Sequence, residues 1–165
     1  MGQIIKKRQL VEDRWQMVAE EVDASKLPEG DIIVTAQAWQ TNRAALLKRH
    51  GSLGITLNGD DDLESIVPDL GHFDVIALQF PVFRDGRPYS MARRLREHAG
   101  YEGEIRAVGD VLRDQLAYME RVGFDAFVID PRQSTEEALK AFDEITVKYQ
   151  ASSDEALPIY RRRSA

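Results

Sequence analysis

The sequence predicts an α/β fold: an open, mostly parallel sheet of about five strands with helices on both faces, preceded by an N-terminal β-hairpin. Three observations predict it. Short branched apolar runs alternate with amphipathic helical stretches along the chain. Gly, Pro and Asn-Gly punctuation separates the two kinds of segment. The length of 165 residues suits one domain with a real core, and falls short of the roughly 200 that a closed barrel of eight strand–helix units needs.

Residues 3–8 and 14–19 carry branched and aromatic groups around a polar break at Glu12-Asp13 and read as the hairpin. Pro28-Glu29-Gly30 turns into a buried strand, Asp31–Thr35. A helix over Ala38–His50 follows, stopped by Gly51. Leu53–Leu57 is the next strand; Asn58-Gly59 turns, and Asp60–Asp62 caps a short helix ending before Pro68. Asp74–Phe80 is the most pronounced strand, and Pro81 limits its extension. Pro88 opens a helix to Ala99 that turns Met91, Ala92 and Leu95 to the sheet, with Gly100 ending it. Glu104–Val108 is a strand, and Asp110 reads as the N-cap of a helix over Val111–Val122. After a short strand at Ala126–Ile129, Ser134 and Glu137 form a capping box for a last helix with Leu139, Phe142 and Ile145 inward. The domain so defined spans residues 1–150, with 1–27 as the hairpin region; residues 151–165 read as a mobile tail or one that docks on a partner.

Composition limits the chemistry. There is no cysteine, so thiolate metal sites, iron–sulfur clusters and thiol nucleophiles have no ligand or nucleophile to use. No glycine-rich dinucleotide loop follows a strand, and the three histidines lack metal spacing, so the cofactor is unknown and metal, iron–sulfur and nicotinamide sites have no support. The net charge of −6 argues against nucleic acid. No apolar run approaches the ~20 residues of a membrane helix, and no signal sequence opens the chain, so no membrane partner and a cytoplasmic location are expected.

Charge is unevenly spread. Arg84–Arg121 holds eight arginines, no lysine and seven acids, a net of +1, which leaves −7 elsewhere. Arginine without lysine favours fixed, forked hydrogen bonding. In a parallel sheet ligands bind beyond the carboxyl ends of the strands, which puts the loop after Phe80 on that rim. Arg84, Arg87, Tyr89, Ser90, Arg93, Arg96, Arg106 and Gln115 are the candidates to hold an anion or partner, and Asp85, Asp110 and Asp114 the candidates to move protons. Arg106 sits in a strand and needs an acid if buried; Asp110 or Asp114 could supply it. Gln115 lies at the edge of an apolar face and needs a hydrogen-bond partner.

Residues 83–127 resemble a bacterial family, domain of unknown function family 934, labelled as an oxidoreductase involved in sulfite reduction. The pattern DGRxYSxARxLRxxxGYxGExRAxGDVLxDQ is met from Asp85 to Gln115. The resemblance implies association with assimilatory sulfite reductase. Since the chain shows no redox machinery of its own, the first reading is an accessory protein binding a small oxyanion or sulfite reductase. Two others stand beside it: a small cofactor-independent lyase or isomerase acting on an anionic metabolite, and a homodimer with the arginine face as its interface.

Overall fold

The computed structural model describes residues 2–18, 27–145 and 147–162. Residues 1 and 19–26 of the expected hairpin region and 163–165 of the expected tail lie outside the described residues. Among the described residues eight strands form one sheet: β1 (Gln3–Lys6), β2 (Gln9–Glu12), β3 (Gln16–Met17), β4 (Ile32–Thr35), β5 (Leu53–Leu57), β6 (Val75–Phe80), β7 (Glu104–Gly109) and β8 (Ala126–Phe127). Their spatial order is β2-β1-β8-β7-β6-β5-β4-β3. Strands β3 to β8 run parallel in sequence order, and β1 pairs antiparallel with both β2 and β8. The fold is α/β, and the sheet is mixed.

The architecture departs from expectation in three ways. The hairpin turn is at Lys7-Arg8, not Glu12-Asp13, and both turn residues have left-handed φ, 48° and 61°. Nothing in Lys-Arg signals such a turn, which ordinarily selects Asn-Gly. The Arg8 fork on Glu120, at 2.8 and 2.7 Å, helps hold it in place. Second, the segment after Asp13 is not the hairpin's other arm. It becomes β3 at the far edge of the sheet.

The third departure follows from the second. Glu12 ends one edge strand and Gln16 begins the opposite one, so four Cα steps, at most about 14 Å, join the two edges. Laid flat, eight strands would separate them by about 34 Å. The sheet is therefore curled almost into a barrel, reached with fewer residues than a barrel of strand–helix units because three strands have no helix between them. Consecutive parallel order with right-handed crossovers also places the helices on one face rather than two. The main core joins Ile32, Val34, Ile55, Ile76 and Ile105 of the outer face to Trp39, Leu95, Met119 and Phe142 of the helical layer. The inner face has its own small cluster, Ile33, Val75 and Ala77 with Trp15 and Val108.

The helices are α1 (Ala36–Leu46), α2 (Leu63–Ile66), α3 (Arg87–Glu97), α4 (Leu116–Arg121), α5 (Thr135–Leu139) and α6 (Ile159–Arg162). Thr35 caps α1 by accepting from the Ala38 N–H, so α1 starts and stops earlier than its apolar spacing suggests. Ser134 caps α5 as expected, but the stretch ends in a 3₁₀ turn, Lys140–Asp143, and Ile145 is exposed rather than inward. Residues 147–162 lie against the body, where Ser153 donates to Glu97 and Asp154 pairs with Lys148 and Arg121. Among the described residues no helix is long and apolar enough to cross a membrane.

Candidate functional site

The carboxyl ends of β5 to β8 present four loops on one rim: 58–62, 81–86, 110–112 and 128–134. Loops 81–86 and 110–112 follow neighbouring strands and are tied together. Gly109, at φ 97°, brings the chain so close to Phe80 that a Cβ would collide with its carbonyl. That turn lets the Asp110 N–H donate to Phe80 O at 2.8 Å. The Asp110 carboxylate then accepts the Phe83 N–H at 2.9 Å, and Gln115 Nε2 donates to the Phe83 carbonyl at 2.9 Å. Gln115 also accepts from the Leu112 N–H at 3.2 Å. The backbone of Phe83 is thus held from both sides while the residue remains 49% exposed, beside Val82 at 48%.

Asp110 does not cap a helix. A 3₁₀ turn, Arg113–Gln115, precedes α4, which begins only at Leu116, because the loop spends Asp110 on Phe83 instead. Asp85 takes the Arg87 N–H and the Arg87 guanidinium, and this pairing, the guanidinium first, holds its carboxyl below the usual range. Arg87 also pairs with Asp60 and lies over Gly59. Asp130 likewise holds the fork and N–H of Arg132, which lower it to about 2. Arg84 is exposed, with no ion pair among the described residues. Asp114 is exposed near Tyr89. Tyr89 is half-buried against Phe80, Tyr118 and Phe124; burial, then the Asp114 and Tyr118 charges, push its phenol up to about 12.

The rim therefore gathers Arg84, Asp85, Arg87, Asp110, Asp114 and Gln115, with Tyr89 and exposed Ser90 at the start of α3. The other arginines go elsewhere. Arg93 pairs with Glu97 on the helix surface. Arg96 reaches the opposite rim, where it donates to the carbonyls of Gly123, Tyr101 and Gly103 and pairs with Asp125. Arg106 is buried on the inner face. Its acids are Glu104 at 2.7 Å and Asp13 at 2.9 Å, not Asp110 or Asp114. A strand residue's partners two positions away on the same face, or on a distant crossing segment, are set by topology that local spacing does not reveal. Phe83 is not among the sequence candidates, although it stands exposed in the same rim loop as Arg84 and Asp85.

As a chemical device the rim offers an apolar tip on a backbone held from both sides, with the Arg84 guanidinium beside it and without an ion pair among the described residues. Its carboxylates at 85 and 110 are committed to holding backbone, which leaves Asp114 as its free acid among the predicted three.

No curated protein and no solved structure matches the chain significantly. The profile of the family described as "Bacterial protein of unknown function (DUF934)" matches residues 54–160, a span that includes the rim loops, the Phe83 clamp and Arg106. The chain belongs to that family.

Proposed function

We propose that the protein is an accessory factor of assimilatory sulfite reduction that docks on sulfite reductase through the rim around Phe83. The sulfite context comes with the family resemblance. The observation that carries the docking is the clamped, half-exposed Phe83. A large apolar side chain costs free energy in water, and one whose backbone is already ordered loses little further freedom on binding. Arginine beside an aromatic is the usual composition of an interface anchor, and Arg84 supplies it.

Docking accounts for the rim better than catalysis does, because Asp85 and Asp110 are spent on loop architecture. It accounts for the rim better than free oxyanion capture does, because all three nitrogens of the Arg87 fork already donate to Asp85 and Asp60. Sedimentation of the chain with purified sulfite reductase tests the reading. The wild type should co-sediment and Phe83→Ala should lose about a hundredfold in affinity, the scale of a central anchor. Wild-type chain that sediments independently of the reductase overturns the proposal, and a shift without the reductase would identify a second copy as the partner.

A further inference from the structure

The inner face of the curled sheet carries a cavity of ≈ 300 Å³, walled on its apolar side by Ile4, Val11 and Trp15. Its floor is Arg106, whose side chain is 3% exposed. Register explains the space. Lys6, Ala126 and Arg106 stand in a row across β1, β8 and β7, so the small alanine separates two long cations. Lys6 and Arg106 both grip Glu104, at 2.6 and 2.7 Å. Arg106 Nη1 holds the Asp13 carboxylate at 3.0 and 2.9 Å. The four charges balance. Nη2 of Arg106 is left without a bond among the described residues, although its residue lines the cavity. Arg14, also lining it, has no ion pair there either.

We propose that this cavity binds a small organic monocarboxylate, its carboxylate held by the open Nη2 edge of Arg106 and by Arg14, and its apolar body against Trp15. Guanidinium forks match carboxylate geometry, and Arg106 already donates to the Asp13 carboxylate in this place. Glu12 lines the same cavity without an ion pair among the described residues. It disfavours a second negative charge on the ligand and so selects a monoanion. The apolar wall favours a branched alkyl body over a bare inorganic ion.

Trp15 provides the readout. It is one of two tryptophans, and the other, Trp39, is 1% exposed in the outer core. The probe is isobutyrate, with isobutyramide as its neutral isostere. Isobutyrate should change the tryptophan fluorescence saturably in the wild type and not in Trp15→Phe. Isobutyramide should bind at least about tenfold more weakly, and Arg14→Ala should weaken isobutyrate by about the same factor. Arg106→Lys should abolish binding if it folds; the exposed Arg14 keeps the test intact if it does not. No saturable change, equal response to the amide, or unaltered affinity in a folded Arg14→Ala overturns the site.

Discussion

The Asp110 carboxylate accepts the backbone N–H of Phe83 across two neighbouring loops, at 2.9 Å. This single bond fixes where the exposed aromatic stands on the rim. Asp110→Ala should lower stability by about 1 kcal/mol, the net value of one such bond, with a larger local effect. Hydrogen exchange at the Phe83 amide should accelerate more than at amides of β6, which NMR exchange can read residue by residue.

Arg96 holds the other end of the molecule. Its guanidinium serves three carbonyls and Asp125 at once, with only 17% of the side chain exposed. Arg96→Ala should cost about 3 kcal/mol or more in urea unfolding, since it strips partly buried carbonyls and a carboxylate together. Arg96→Lys should recover little, because an ammonium cannot present the same fork.

Lys7 occupies a left-handed turn position at φ 48°, a conformation costing a non-glycine residue roughly 1 kcal/mol. Lys7→Gly should therefore stabilise the protein by about 0.5–1 kcal/mol in a thermal or urea melt. The same change at Arg8 should destabilise, because it removes the bidentate pair with Glu120.

Asp130 gives a pH signature. The Arg132 fork, then its backbone N–H, lowers the folded carboxyl to about 2, while an unfolded Asp titrates near about 3.9. The stabilisation is present above the unfolded value and is lost as pH falls through the folded one. Asp130→Asn should thus be less stable than wild type at neutral pH and converge with it between pH ~4 and ~2, as paired melts would show.

Much of the layout could be read directly. The runs DIIVT, LGITL, DVIALQF and EIRAV each contain a strand, because buried parallel strands are continuous apolar segments. The rim position of Arg84, Asp85 and Arg87 followed from the strand–loop–helix order. What stayed hidden was non-local. Nothing near Asp13 announces Arg106, 93 residues away, and nothing in Gln16-Met17 announces an edge opposite to β2. The Asp110 role was misread because a cap and a loop clamp use the same residue type before the same helix; only the late start of α4 separates them.

The three-residue bridge between opposite edges has a consequence for biosynthesis. β1 is made well before its neighbour β8, which follows more than a hundred residues later. The first strand must wait unpaired on that side while the intervening strands assemble, and such distant pairing slows folding. The hairpin and β3 flank opposite ends of a ribbon that can curl to completion only once Phe127 has emerged, so a nascent chain halted before that point carries an open edge available to other chains.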